Sequence, residues 1–364
     1  MHLSCTQENL NKGLGLVSHI ANKNSNLPIL NNVLLKAGKN GLTLVTTDLE
    51  IGIKVFVRSK VEEEGSFTVA AKLLNEFIGL LPRENINIAL KEDNLYIKSQ
   101  NHKTNIKGLE AEDFPLIPEI EKENEVELSI TEFKTALSQT VFAASLDGSR
   151  AEINAVNFCF SKDELIMAAT DSYRLAEKRL SINNSQEKSL IIPLKTIQEL
   201  LRILNDQAEQ KLKLYFNENQ IMFVFDGVEL ISRVVEGKYP DYQQIIPSDF
   251  STTAKCETNK LIPAIKSAAL FCKQGINDVR LSFAKNEIVI ASASSAVGEN
   301  VIKVPAEVTG DENDIVFNFR YLLDGLSNIG KQEVVFNINN NASPGLLQGK
   351  NNKNYLYLIM PIRQ

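Results

Sequence analysis

Apolar residues recur at helical spacing in three separated stretches: Leu10, Leu14 and Val17; Phe133, Leu137 and Val141; Leu261, Ile265 and Ala268. Steps of three and four predict one buried helix face each time. Ser129 with Glu132 three residues on supplies a capping box before the second stretch. After each helix the period drops to two, which predicts strand pairs. These are 32–36 with 42–46, 156–160 with 164–168, and 279–283 with 287–291. Gly38 and Gly41 turn the chain in the first pair, and further strand follows in each copy (51–57 in the first). A second short helix is predicted from Lys72, Lys195 and Arg320. Closing strand pairs come next, at 86–90 with 94–97, 212–216 with 220–225, and 334–338 with 355–359. Each copy ends in an apolar–Pro step: Phe114-Pro115, Tyr239-Pro240 and Met360-Pro361.

The succession is a threefold repeat. Displaced by 123 positions, Leu10 falls on Phe133, Leu30-Asn31 on Ile153-Asn154, Thr47-Asp48 on Thr170-Asp171, and Lys72 on Lys195. A second displacement of the same size carries Val156 and Phe158 onto Val279 and Leu281. Three copies of about 120 residues fill the 364-residue chain. The expected domains are 1–118, 128–247 and 254–364. Each is two helices on one face of antiparallel sheet, an α+β arrangement. The first linker is acidic (Glu119, Glu121, Glu123, Glu125), and the second, 247–255, is rich in Ser and Thr.

Composition narrows the class. With 43% apolar and 23% charged residues the chain is an ordinary globular protein. No apolar run approaches the ~20 residues that span a bilayer, and no charged-then-apolar leader opens the sequence. A cytoplasmic protein is expected. Cys5, Cys159, Cys256 and Cys272 are scattered without metal-ligand spacing, so neither a disulfide framework nor a zinc site is expected.

The sequence holds few catalytic signatures. The nearest approach to a phosphate loop, Gly345 to Asn351, has the wrong spacing and Asn where a hydroxyl would hold magnesium. His2, His19 and His102 lie in three separate places. Asp48 and Asp171 could be imagined around a metal, but each follows an apolar strand, where a turn-forming Asx side chain is the simpler reading. No metal and no cofactor are expected.

Charge is more informative. The net charge is −6, yet basic residues recur on or beside the predicted helices. The first helices carry Lys12, Lys134, Lys260 and Lys266, with Lys23, Arg150 and Lys273 just beyond their ends. The second helices begin at Lys72, Lys195 and Arg320, with Arg202 further along. A basic helix face on an acidic chain suits a phosphate backbone, and contacts to phosphate carry no sequence information. Lys23, Lys72, Arg150, Lys195, Lys266 and Arg320 are the candidate DNA-facing residues.

Four stretches carry a family resemblance. They are Leu27-Pro28-Ile29-Leu30 leading to Thr47-Asp48-Leu49-Glu50; the run from Ala169 to Ala176; Tyr239-Pro240-Asp241-Tyr242 followed by Ile246-Pro247; and the terminal run from Tyr357 to Arg363. In this order and spacing the chain resembles, over its whole length, the bacterial DNA polymerase III beta subunits, the sliding clamps. The resemblance implies a non-catalytic processivity factor. Two chains would join head to tail into a ring around double-stranded DNA, helices inward, with sheet edges paired across the seam. It implies as partners the replicative polymerase, an ATP-dependent clamp loader, and other clamp-binding polymerases and repair proteins. It also implies a cleft between the second and third domains that takes short peptides. That wall is Ile153, Thr170, Ser172, Tyr173, Arg174, Leu175, Pro240, Ile245, Leu358, Met360, Pro361, Ile362 and Arg363. Arg174 and Arg363 are expected to meet peptide carbonyls or acids, and the flexible Met360 suits an adaptable surface. The homodimer seam is expected at Lys103 and Ile106 of one chain and Leu270 and Phe271 of the other. The chain departs from the family where Ser172-Tyr173 replace a frequent Gly-His, where Gln364 replaces an apolar last residue, and where Asn24 replaces a frequent Arg. Two rival readings are a monomeric peptide-binding adaptor without DNA, and a three-domain enzyme built on Asp48 or Asp171.

Overall fold

Every stretch with helical apolar spacing is a helix, and every alternating stretch is a strand. In this computed structural model the described residues are 1–21, 27–122, 125–184, 186–204, 211–273, 275–330 and 332–363. Among them are six α-helices: α1 (Gln7–Val17), α2 (Ala71–Leu80), α3 (Ile130–Val141), α4 (Leu194–Ile203), α5 (Thr258–Ala269) and α6 (Phe319–Ile329). Local chemistry sets their ends. Thr6 Oγ1 accepts from the Asn9 amide at 3.3 Å at the start of α1, and Asn318 Oδ1 accepts from the Arg320 amide at 2.9 Å at the start of α6. Gly330, at φ 62°, ends α6 in the left-handed conformation that glycine adopts without a Cβ penalty.

The chain folds as two compact units, 1–130 with 202–234 and 131–201 with 235–364. The first holds a 13-stranded antiparallel sheet and the second a 12-stranded one. Each sheet runs through a repeat junction. In the first unit Val228–Arg233 pairs with Ile51–Val57; in the second Arg174–Ser181 pairs with Tyr355–Ile359. The middle repeat is thus shared out, half its strands in each sheet, because pairing an edge strand satisfies backbone groups that would otherwise stay open.

In the first unit α1 lies across the strands 41–47 and 51–57. Leu10, Leu14 and Val17 are fully buried there. Gly13 permits the approach, since a Cβ at that point would stand 2.6 Å from Val57 Cγ2. In the second unit Gly325 does the same for α6: a Cβ would stand 2.2 Å from the ring of Tyr357, which is itself fully buried. Gly325→Ala sets a helix-propensity gain of about 1 kcal/mol against an overlap that must displace an aromatic ring, which costs about 1–3 kcal/mol. The overlap is the larger effect, so the variant is expected to unfold at lower denaturant in equilibrium unfolding; unchanged or raised stability would contradict this packing.

Two expectations need correction. The closing strands of the third repeat, 334–338 and 355–359, are not direct partners, because Gly345–Gly349 forms a strand between them. That glycine-containing segment is therefore sheet, and not a loop. Gly345 lies against Phe317, where a Cβ would come within 2.6 Å of the ring, so close packing accounts for the residue. The three second helices each begin one residue before the basic residue that was expected to open them.

Candidate functional site

The candidate cleft is built on the turn from Thr170 to Arg174. Asp171 Oδ1 accepts from the amides of Tyr173 at 2.9 Å and Arg174 at 3.0 Å. Thr170 Oγ1 accepts from the Ser172 amide at 3.1 Å and donates to the Arg174 carbonyl at 2.6 Å. These bonds hold Ser172 at φ 78°, a conformation that favours glycine and accounts for the glycine expected there from the family pattern. Asp171 is thus an Asx-turn residue, as the sequence suggested.

The first unit repeats this turn. Asp48 Oδ1 accepts from the amides of Glu50 and Ile51, Thr47 Oγ1 accepts from Leu49 and donates to Ile51, and Leu49 stands at φ 77°. Each turn is also clasped by a later strand end: the Arg233 amide donates to the Glu50 carbonyl at 3.0 Å, and the Met360 amide to the Tyr173 carbonyl at 2.8 Å. The two copies differ in what lies over them. Gly52 stands where Leu175 stands in the second copy, and Ile117 fills the space, within 2.7 Å of where a Cβ would be. In the first unit the chain's own Phe114–Ile120 segment packs over this surface.

In the second unit the tail remains on the surface. Met360, Pro361 and Ile362 are half-buried and Arg363 is exposed. The Ile362 amide donates to the Val316 carbonyl at 2.8 Å, fixing the tail's path. Tyr173 is 64% exposed, and Ile245, Pro240 and Ser172 are exposed too. Leu175 and Leu358 belong to a buried cluster with Tyr239 and Tyr242, against which Ile246 and Met360 pack. Leu175, Leu358, Ile153 and Thr170 are buried and form the floor beneath the exposed side chains, with Leu175 and Leu358 packed under Tyr239, Tyr242 and Met360.

Arg174 also differs from expectation. Its Nε donates to Asp171 Oδ2 at 2.9 Å and its Nη1 to Asp324 Oδ2 at 2.6 Å. The guanidinium lies 4.5 Å from the centroid of the Tyr321 ring and 5.6 Å from that of Phe142. Burial works against its charge, but Tyr357, Asp324 and Asp171 outweigh it and raise the group above its ordinary range. The side chain expected to meet peptide groups is already engaged within the fold. Sequence reading missed Phe142, Tyr321 and Asp324, which stand far from Arg174 in the chain; the one available signal was the i, i+3 spacing of the last two on one helix face.

Arg150 stands on no helix. Its Nη1 donates to Ser172 Oγ at 2.9 Å, which places it at the cleft turn. Lys72, Lys195, Lys266 and Arg320 are exposed on α2, α4, α5 and α6. Lys72 faces Glu76 one turn on at 3.9 Å, a surface pair of little energetic weight. Arg202 donates to the carbonyls of Gly15 and Leu16 at 3.0 and 2.6 Å, capping the end of α1. Lys23, Asn24 and Gln364 lie outside the described residues.

Of the seam residues, Lys103 is exposed, Leu270 is 74% exposed and Phe271 is half-buried. Ile106 is only 7% exposed within a single chain and sits opposite Leu95 in the sheet, so it is a core residue. Among the described residues no group of three or more His, Cys, Asp or Glu is placed to hold a metal. Burial pushes the Cys5 and Cys256 thiols up to about 12, which leaves them without thiolate character at neutral pH.

Three family models cover the chain: the N-terminal domain of the DNA polymerase III beta subunit at residues 1–118, its central domain at 127–241 and its C-terminal domain at 243–363. The chain belongs to the DNA polymerase III beta subunit family. A beta sliding clamp of Synechocystis is 32% identical over 388 aligned positions, covering 100% of this chain and 99% of that protein. One from Staphylococcus aureus is 30% identical, covering 93% and 92%. The crystal structure of the Bacillus subtilis DNA polymerase sliding clamp matches with TM-score 0.96 at 28% identity, covering 100% of this chain and 99% of that one. The Pseudomonas aeruginosa DNA polymerase III beta subunit matches with TM-score 0.96 at 27% identity, covering both chains fully. The beta-subunit architecture is three α+β clamp domains with antiparallel sheets, as the repeat pattern indicated.

Proposed function

We propose that the chain is a DNA sliding clamp: it encircles duplex DNA, catalyses nothing itself, and tethers the replicative polymerase so that synthesis is processive. One observation carries this beyond family membership. Each of the six helices among the described residues bears a basic side chain that is exposed or half-exposed (Lys12, Lys72, Lys134, Lys195, Lys266, Arg320), on a chain of net charge −6. Basic side chains of this kind hold a phosphate backbone weakly and without register, which suits sliding.

Enclosure requires two chains. Lys103–Lys107 has Asn94–Lys98 on one side, while on the other Gly65–Ala70 reaches only Gly108 and Leu109. In the second unit Gly298–Pro305 pairs on one side with 287–294. Val301 on that strand, Val297 just before it and Leu270 at the end of α5 are all more than 60% exposed. Lys103 and Lys107 on one edge and Glu299 on the other suit a head-to-tail homodimer seam. In this reading the functional repeats keep the bounds 1–118, 128–247 and 254–364, and the protein works in the cytoplasm. An ATP-dependent loader opens the ring, and polymerases, loader and repair proteins dock through short peptides in the cleft of Tyr173, Pro240, Ile245 and Met360–Arg363. No helix among the described residues is long and apolar enough to cross a membrane.

The test is retention after loading on nicked circular DNA and on the same DNA linearised. The protein should stay on the circle and run off the line. The triple variant Lys72→Glu, Lys195→Glu, Arg320→Glu should load poorly on both. Equal loss from circle and line overturns enclosure, and normal loading of the triple variant overturns the helix face.

A further inference from the structure

The ion-paired arginine beneath the cleft turn has an unequal surround. Arg174 and Asp171 are 12% and 15% exposed, whereas Asp324 is 49% exposed. Asp171 is committed to the turn, where Oδ1 takes two backbone amides and Oδ2 takes Arg174 Nε. Tyr321 and Phe142 lie against the guanidinium. On the solvent-open side of this cluster stands Asp324, whose Oδ2 accepts from Nη1.

We propose that Asp324 is a positioning residue that sets which peptides the cleft accepts, by covering the Arg174 guanidinium and withholding it from a peptide carboxylate. The inference rests on the peptide-cleft reading above. With the cation covered, the cleft selects on apolar fit to Tyr173, Ile245, Met360 and Ile362, and an acidic residue in the peptide gains nothing from Arg174. Asp324 acts through Arg174 and need not touch the peptide.

The experiment uses the full-length protein and two synthetic octapeptides of identical sequence, each containing a Leu-Leu pair, with Asp or Asn two residues before it. Affinity is read by fluorescence anisotropy at low and high salt. The unsubstituted protein should bind both within roughly twofold. Asp324→Asn keeps size and acceptor but removes the charge, so it should favour the Asp peptide by roughly tenfold, and salt should erode that preference. Asp324→Glu should restore the original ratio. Equal weakening of both peptides by Asp324→Asn indicates a merely structural carboxylate and overturns the proposal, as does an unchanged ratio. If the unsubstituted protein binds neither peptide while its fold is intact, the cleft reading itself fails, and that outcome is distinct from a failure confined to Asp324.

Discussion

Removing residues 360–364 abolishes binding of a polymerase-derived peptide and leaves the dimer intact. The segment supplies Met360, Pro361 and Ile362, whose side chains are half-buried and form the open apolar side of the proposed cleft. Met360 packs on the cluster of Leu175, Tyr239, Tyr242 and Leu358. Its amide is the tie to the Tyr173 carbonyl. Two large apolar contacts at about 1.5–3 kcal/mol each correspond to a loss of a hundredfold or more in affinity. The seam proposed around Leu270 is a different surface, so mass by light scattering should be unchanged. Peptide titration checks the first half, and retained affinity would refute the cleft. Met360→Ala, which keeps the backbone tie, should weaken binding by a smaller factor.

Leu270→Asp turns the ring into monomers. Leu270 is 74% exposed in the single chain, so the substitution costs the fold little. At a seam it removes an apolar contact and places a carboxylate where water is excluded. Together these cost about 4 kcal/mol, roughly a thousandfold in dimer affinity. Sedimentation at micromolar concentration should find the monomer, and retention on circular DNA should fall with it. A persistent dimer would put the seam elsewhere. Ile106→Ala is the contrasting variant: it leaves a cavity beneath the sheet, so it should lower stability without a matching effect on association.

The reading of the fold from sequence succeeded where the signal is local. Helices and strand pairs follow from apolar spacing, and the recurrence of Thr47-Asp48 and Thr170-Asp171 marks two turns with the same hydrogen bonds. It failed at the strand 345–349, because two glycines and a short run carry no periodicity; only the facing strands and the Phe317 ring make that segment sheet. Site residues divided the same way. Motif matching named the candidate turn and the tail. It could not separate Tyr173, which is exposed, from Leu175 two places on, which is buried beneath Tyr239, Tyr242 and Met360.

Residue order, spacing and charge were enough to establish three α+β repeats, their family, and the basic helices on an acidic chain, since each of these rests on neighbours along the chain or on whole-length similarity. The division of the middle repeat between two sheets, the burial of Ile106, the place of Arg150 beside Ser172 and the capture of Arg174 by Asp324 came from the folded chain alone. These depend on which distant residues meet when strands pair and helices pack, and contacts across 150 positions leave no mark on local pattern.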